Sequence, residues 1–198
     1  MNRPILFSGP MVRAILDGRK TQTRRVAKGM ALDLIDVEFS LEFVCHPDNG
    51  LCPYGNVGDR IWVRETWAIN PLYGAINEED APKYVFAADD YDQVILPDGS
   101  GDRDPWRPSI HMPRVASRIT LEVTGVYIER LHDISETDAL AEGVDAWPDG
   151  NFKAYGKHSG KFRHAKDSFS SLWESINGHG SWDANPFVWV IKFKRIVP

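Results

Sequence analysis

The stretch from Phe187 to Val197 constrains the fold more than any other part of the chain, because apolar residues occupy both of its alternating faces. A strand that is apolar on both faces has to be covered by other parts of the molecule on both sides. We therefore predict a strand in the interior of a sheet, around which the rest of the chain packs.

A second long strand is predicted from Ser117 to Leu131, where Ile119, Leu121 and Val123 alternate with polar residues. Gly125 interrupts the alternation, so we expect the strand to bend there. Together, the two long strands indicate a sheet-based architecture.

Shorter patterns complete the predicted fold. Further strands are expected at 21–26, 36–44, 60–67 and 83–88, and short helices at 11–16, 135–142 and 169–176. The strands do not alternate with helices as βαβ units do. We therefore predict the α+β class, with a compact, partly open β-barrel of about six strands and short helices at its mouth.

The composition favours one domain spanning residues 1–198, because 198 residues with 42% hydrophobic content can bury one good core. The 23 Lys and Arg residues and 28 Asp and Glu residues leave a net charge of -5. Non-specific attraction to a long phosphate backbone is therefore not favoured, and any contact with nucleic acid should be local. No signal for sequence-specific DNA recognition is present.

No apolar run reaches the roughly 18 residues that cross a bilayer, and the start of the chain is interrupted too early for a signal peptide. These features predict a cytoplasmic protein with no membrane contact. No glycine-rich phosphate loop, nucleotide fingerprint or Ser-His-Asp signature occurs, so no cofactor is predicted. The oligomeric state stays open.

Cys45, His46 and Cys52 are the sequence's best candidates for metal ligands, because they place three soft side chains close together. However, there is no CxxC pair and no second cluster of ligands. We therefore expect reduced thiols in a loop and no metal site.

The segment from Gly18 to Arg25 has no apolar residue and carries four positive charges. Its hydroxyl, amine and guanidinium groups suit the binding of an anion or an acyl oxygen, or acyl chemistry. The alternative is a solvated turn followed by an exposed edge strand. In a fully extended strand Lys20 faces away from Thr23, so only a bend would bring these two side chains together.

Two further segments have both a functional and a structural interpretation. Glu142 ends the predicted helix before Gly143, and the dipole disfavours a carboxylate at this end of a helix. Glu142 therefore has a cationic partner or a catalytic use. The alternative is a Glu142 side chain that is simply exposed. The segment 151–166 mixes basic and aromatic residues without an acid. This composition suits a flap over a base or phosphate, or equally a solvated loop.

Three motifs now combine: Gly18-x-Lys20-Thr21-x-Thr23-x-Arg25 after a short helix, Gly58-Asp59 before a strand, and Ala139-x-x-Glu142-Gly143 on a short helix. Together they resemble the ASCH domain of the PUA-like superfamily. More narrowly, the segments 3–26, 58–68, 106–118 and 185–193 resemble ASCH proteins of bacteriophages and prophages. On this resemblance, the regions near 30–55, 70–105 and 145–165 are elaborated loops on a smaller domain.

The resemblance implies a PUA-like β-barrel with a cleft between barrel and helices, which binds RNA or a modified nucleoside. Small bacterial ASCH proteins are amidohydrolases that remove the acetyl group from N4-acetylcytidine with a Lys, a Thr and a Glu. Those positions correspond to Lys20, Thr23 and Glu142 here. The implied partner is therefore a modified nucleoside or RNA.

The implied chemistry makes a specific demand on Lys20. Thr23 would attack the acyl carbonyl, Lys20 would accept its proton, and Glu142 would orient Lys20 or protonate the leaving nitrogen. The pKa of a lysine base must fall from about 10.4 to about 7–8, which requires burial or nearby cations. Arg19, Arg24 and Arg25 could supply such cations, whereas an ionised Glu142 would oppose them.

Six residues are predicted to bind substrate in the cleft. They are Arg19, Arg24 and Arg25 of the cationic segment, and Arg64, Glu65 and Trp67 in and after the strand that follows Gly58-Asp59. The aromatic residues proposed to stack a pyrimidine are Trp62, Trp67, Tyr84 and Trp106. The sequence thus predicts an amidohydrolase acting on an N4-acylated cytidine or a related nucleoside. A noncatalytic RNA-binding module and, less favoured, a metal-assisted ribonuclease remain as alternatives.

Overall fold

A five-stranded sheet organises the computed structural model, which describes residues 2–70, 83–89, 106–157 and 160–196. Within these ranges the strands are β1 (Asn2–Leu6), β2 (Gln22–Val26), β3 (Arg60–Arg64), β4 (Trp67–Ile69), β5 (Tyr84–Phe86), β6 (Thr120–Arg130), β7 (Phe152–Lys153), β8 (Lys161–Phe162) and β9 (Phe187–Ile196). The α-helices are α1 (Gly9–Leu16), α2 (Met30–Asp36), α3 (Leu41–Cys45), α4 (Glu136–Ala141) and α5 (Ala165–Asn177). The predicted α+β class is confirmed.

The main sheet has the order β1-β3-β6-β9-β2, and the pairs β4-β5 and β7-β8 form two small sheets. The β1-β3 pair is parallel, and the other neighbours in the main sheet are antiparallel. Strand β9 lies between β6 and β2, and Val188, Val190 and Ile191 have no exposed surface. The prediction of an interior strand from Phe187 is therefore confirmed.

The bend predicted in the other long strand is also present. The register of β6 against β9 shifts between Val123 and Gly125, which is the irregularity that an interrupted alternation indicates. The three predicted helices correspond to α1, α4 and α5. Helix α4 begins as its capping sequence predicts, because Ser135 Oγ accepts a hydrogen bond from the Asp138 N–H at 3.0 Å.

The predicted strand at 36–44 is wrong. Helices α2 and α3 cover most of this segment, and Glu38 between them has a positive φ of 66°. Ser40 caps α3 by accepting a hydrogen bond from the Phe43 N–H at 3.2 Å. The alternating apolar residues that suggested a strand, including Phe39 and Phe43, are exposed. Local capping therefore decided the structure, and no buried strand face competed with it.

Two other strand predictions need correction. The segment 60–67 is not one strand, because β3 ends at Arg64 and Trp67 begins β4 in a different sheet. The segment 21–26 is a strand, but it is not exposed: Gln22, Thr23 and Arg24 are each 2% exposed. In addition, β1 was not predicted, and the described residues contain nine strands instead of about six.

The elaborated regions differ in what they contain. The region near 30–55 holds α2 and α3, and the region near 145–165 holds β7 and β8. Most of the region near 70–105 lies outside the described residues. Within the described ranges, every helix is too short or too polar to cross a bilayer.

The buried apolar residues form two clusters. The larger one packs α1 and α5 with the main sheet and includes Ile15, Phe169, Trp173 and Trp189. The smaller one consists of Trp67, Phe86, Met112 and Ala116. The candidate site lies against the larger cluster.

Candidate active site

Lys20 lies in the turn between α1 and β2. Gly18 has a φ of +74°, and the backbone N–H groups of Arg19 and Lys20 both donate to the Ala14 carbonyl at 2.9 Å. This turn folds the segment back against the end of α1, so Lys20 does not share the extended geometry of β2. The bend that the pairing of Lys20 with Thr23 requires is therefore present.

Glu142 lies at the C-terminal cap of α4, as the sequence predicts, and its N–H donates to the Asp138 carbonyl at 2.9 Å. The next residue, Gly143, has a φ of +85°. A Cβ atom there would lie 2.9 Å from the Cβ atoms of Ala14 and Lys20, which is closer than side chains tolerate. A glycine at this position therefore allows the end of α4 to pack directly against Lys20.

Lys20 and Glu142 form a buried ion pair. Lys20 Nζ donates to Glu142 Oε2 at 2.7 Å and to the Glu142 carbonyl oxygen at 2.7 Å. The two residues are only 4% and 3% exposed. Of the two interpretations of Glu142, the buried partner of a cation is confirmed and the exposed helix end is wrong.

Arg24 holds the other side of the Glu142 carboxylate. Its Nη1 donates to Glu142 Oε1 at 3.1 Å, and its Nε donates to Glu129 Oε1 at 2.8 Å. Arg24 Nη2 lies 2.7 Å from the same Glu129 oxygen, an ion-pair contact without hydrogen-bond geometry, and 3.6 Å from Asp138 Oδ2. Gln22 Nε2 donates to Asp138 as well, at 3.0 Å to Oδ1. The Glu142 charge is thus shared between Lys20 and Arg24.

The pKa of Lys20 is lowered from 10.5, and burial of the ammonium group is the largest cause. The charge and hydrogen bond of Glu142 act in the opposite direction, while the charges of Arg25 and Arg24 add to the lowering. The sequence indicated this competition but not its outcome, and a lysine base requires the lowered pKa that is found. Arg19 does not take part as predicted, because it is exposed and pairs with Asp17 at 3.3 Å and Asp145 at 3.4 Å.

The carboxylates around Arg24 are shifted in different directions. Burial raises the pKa of Glu129, although Arg24 opposes it. Burial also acts to raise the pKa of Asp138, but hydrogen bonds from Gln22 and Ser135 and the charge of Arg24 outweigh it, so that pKa is lowered. Asp138 therefore stays ionised and helps to hold the guanidinium in place.

A cavity of about 490 Å³ opens beside the ion pair. Its polar lining consists of Lys20, Thr23, Arg24, Arg25, Lys28, Glu142 and Asn177. Its aromatic lining consists of Phe7, Tyr54, Phe169, Trp173 and Trp189, and aliphatic side chains complete the wall. The three residues predicted to be catalytic therefore meet at one cavity, although no hydrogen bond joins Thr23 to Lys20 among the described residues.

Of the residues predicted to bind substrate, Arg24 and Arg25 line this cavity, whereas Arg19, Arg64, Glu65 and Trp67 do not. Arg64 stacks on Trp62 at 4.8 Å, and Trp67 belongs to the smaller apolar cluster. Glu65 is 1% exposed and pairs with Arg118 at 2.9 Å, and burial raises its pKa against that partner. The split of 60–67 into two strands explains the position of Trp67, because β4 belongs to a different sheet from β3.

The aromatic residues of the cavity were missed as site residues. Phe169 and Trp173 were predicted to be core residues from the amphipathic pattern of α5, and they are core residues that also form a cavity wall. Neither Phe7 nor Tyr54 had a signal of its own in the sequence. The predicted stacking residues Trp62, Tyr84 and Trp106 are not among the lining residues.

The residues of two other predicted features are not part of the cavity lining. Cys45 and Cys52 are free, and burial raises the pKa of both thiols. No cluster of three or more His, Cys, Asp or Glu side chains that could hold a metal occurs in the part of the chain that the structure describes. The described residues of 151–166 include β7 and β8, and none of them lines the cavity.

Comparisons of the chain with protein-family models, with curated proteins and with solved structures find no match in any of the three.

Proposed function

We propose that the protein is an amidohydrolase that removes an acyl group from N4-acylated cytidine or a closely related modified nucleoside. The observation that carries this proposal is the convergence of the buried Lys20–Glu142 pair with Thr23 at one cavity. We also propose that the sheet is the partly open barrel of a PUA-like ASCH domain of the phage and prophage type. The three motifs that resemble this domain support that assignment.

Thr23 is the nucleophile in the proposed reaction. Its hydroxyl oxygen attacks the acyl carbon while its proton passes to Lys20 Nζ. Lys20 then gives this proton to the exocyclic nitrogen as the C–N bond breaks, which releases cytidine and leaves the acyl group on Thr23 as an ester. Water then attacks the ester and gives a proton to the neutral Lys20, which passes it to the Thr23 oxygen as the free carboxylic acid departs.

The hydrogen bonds of Lys20 suit a base. A neutral amine has two N–H donors and one lone pair, and Lys20 Nζ has two acceptors from Glu142 at 2.7 Å each. With both donors engaged, the lone pair of the neutral form is free to accept the Thr23 proton. Glu142 therefore acts as a positioning residue that orients Lys20.

Arg24 reduces the conflict between an ionised Glu142 and a neutral lysine. Because Arg24 Nη1 binds the carboxylate oxygen that Lys20 does not use, Glu142 keeps a cationic partner when Lys20 loses its proton. A buried carboxylate without such a partner would strongly favour a protonated lysine. The arrangement thus supports proton transfer at Lys20 without leaving a buried charge unpaired.

The cavity also suits the pyrimidine ring of the proposed substrate. Its aromatic side chains offer faces for stacking a pyrimidine, and base-aromatic stacking contributes roughly 1–3 kcal/mol per base. A volume of about 490 Å³ falls in the range of small-molecule sites. The negative net charge of the chain likewise favours a small substrate over a long RNA.

The decisive measurement is the release of cytidine from N4-acetylcytidine by the purified protein. We expect Lys20→Met, Thr23→Val and Glu142→Gln, each confirmed as folded, to lower turnover by roughly 100-fold or more. Thr21→Val is the matched control, because Thr21 is an exposed threonine outside the cavity lining, and it should keep full turnover.

Absence of turnover by the wild type with several N4-acyl groups would refute the proposal. Steep salt dependence of RNA binding in the same preparation would then indicate a noncatalytic RNA-binding module. Full turnover by Thr23→Val would refute the assignment of Thr23 as the nucleophile. Water would then be the group that attacks the acyl carbon.

A further inference from the structure

The cavity holds more positive than negative charge. Four cationic side chains line it, namely Lys20, Arg24, Arg25 and Lys28, against the single carboxylate of Glu142. The chain as a whole has a net charge of -5. The positive lining is therefore a local property of this cavity and does not reflect the average composition.

Two of the four cations are already neutralised. Lys20 and Arg24 share Glu142, and Arg24 also pairs with Glu129 at 2.7 Å. Asp138 lies 3.6 Å from Arg24 as well, so Lys20 and Arg24 face three carboxylates and leave no unbalanced positive charge. The excess charge belongs to the remaining pair, Arg25 and Lys28.

Neither Arg25 nor Lys28 makes an ion pair with any residue in the described ranges. Arg25 Nη2 donates to the Leu6 carbonyl at 2.7 Å, a neutral acceptor that leaves its other donors available. Lys28 is exposed at the cavity. A guanidinium and an ammonium at the wall of one cavity form a surface that favours a phosphate.

Arg25 and Lys20 lie near the same aromatic side chain of the cavity wall. Lys20 Nζ and the Arg25 guanidinium carbon lie 5.5 Å and 5.3 Å from the centroid of the same Phe7 ring. A ligand in the cavity therefore meets the charge of Arg25 as well as that of Lys20.

We propose that the substrate is a 5′-mononucleotide, the monophosphate of an N4-acylated cytidine, whose phosphate binds Arg25 and Lys28. The identity of the base rests on the proposed function, whereas the phosphate site rests on the charges of the cavity.

Binding is tested by calorimetry with cytidine 5′-monophosphate, cytidine, inorganic phosphate and a short oligocytidylate. We expect the monophosphate to bind at least about tenfold more tightly than cytidine, because charge-assisted hydrogen bonds to phosphate are worth that much. The preference should fall with rising salt and be lost in the double variant Arg25→Gln/Lys28→Gln. The preference for the monophosphate should persist in the control substitutions Lys192→Gln and Lys194→Gln. These remove the same charge from exposed positions outside the cavity.

Equal binding of the two ligands, no binding of either, or a preference that survives the double variant would overturn the proposal. Much tighter binding of the oligocytidylate than of the monophosphate would also overturn it, in favour of an RNA strand. Turnover of N4-acetylcytidine and its 5′-monophosphate separates the two proposals. Turnover without a preference for the monophosphate would support the amidohydrolase and refute the phosphate site. A binding preference for the monophosphate without turnover would support the phosphate site and refute the amidohydrolase.

Discussion

At Lys20 the burial of an ammonium group competes with its attraction to Glu142. The burial effect is the larger one, so the pKa of Lys20 in the folded protein lies below its value of 10.5. The carboxylate, which lies only 2.7 Å away, reduces this shift but does not cancel it. A side chain that is easily deprotonated yet firmly hydrogen-bonded is what a lysine base requires.

The lowered pKa predicts how stability depends on pH. Between the folded pKa of Lys20 and about 10.5, the unfolded chain binds the proton and the folded protein does not, so the free energy of unfolding rises with pH through this interval. Lys20→Met lacks this contribution. We expect the stability advantage of the wild type over Lys20→Met to grow as pH rises toward 10, measured by urea denaturation at several pH values.

Lys192→Met is the control for this experiment, because it removes an exposed lysine that does not line the cavity. A gap between the wild type and Lys20→Met that stays constant or shrinks as pH rises would show that folding does not lower the pKa of Lys20.

At the level of elements, the end of α4 determines the position of Glu142. Helix α4 begins at a Ser135 cap and ends where Gly143 takes a positive φ against Lys20. The Thr21 N–H donates to the Ala141 carbonyl at 2.9 Å, which joins the last turn of α4 to the residue before β2. Helix, turn and strand are therefore held together by direct backbone contact beside the site.

Gly143→Ala should disrupt this contact. The new Cβ would meet Lys20 Cβ at 2.9 Å in a strained backbone conformation, so we expect a loss of stability of roughly 2–4 kcal/mol and a marked loss of turnover. Gly150→Ala is the matched control. Gly150 also has a positive φ of +80°, but a Cβ there has no neighbour within 4 Å.

Gly150→Ala should therefore cost only the backbone strain, about 1–2 kcal/mol, with turnover unchanged. Urea denaturation and the cytidine-release assay measure the two quantities. If the two alanine variants lost equal stability and both kept full turnover, the packing of α4 against Lys20 would have no role in the site.

For the whole molecule, strand β9 is the element on which most of the structure depends. It lies between β6 and β2, and Trp189 on it is 1% exposed, belongs to the larger core cluster and lines the cavity. Loss of packing at Trp189 therefore affects the sheet, the helices and the site at once.

We expect Trp189→Ala to lower the free energy of unfolding by roughly 3–5 kcal/mol, as large truncations in a core do. Trp147→Ala is the control, because Trp147 is 46% exposed and should cost no more than about 1 kcal/mol. Urea denaturation followed by circular dichroism measures both. A similar cost for the two variants would mean that β9 is not central to the core.

The sequence predicts the long strands well, because their patterns extend over many residues. The interior position of β9 and the bend of β6 at Gly125 both follow from local patterns. The strand predicted at 36–44 was wrong because alternating apolar residues alone do not show whether a strand would have a buried face. The Ser40 cap favoured a helix instead. Short patterns therefore predict less than long ones.

The candidate site is only partly predictable for a related reason. Lys20, Thr23 and Glu142 could be named from motifs, but the sequence does not show that they meet. The role of Arg24 depends on Glu129, which is 105 residues away along the chain, so no local pattern could indicate it. Arg64, Glu65 and Trp67 were misplaced because the sequence showed no break between β3 and β4.

The pairing of β2 also decides when the site can exist during synthesis. In the described sheet, β2 has β9 as its single neighbour, although Lys20 and Thr23 leave the ribosome long before Phe187. A nascent chain that has reached Asn185 already carries all three site side chains. It still lacks β9, which pairs with β2 and supplies Trp189 to the cavity wall. On the proposed function, turnover therefore requires β9 to have joined the sheet.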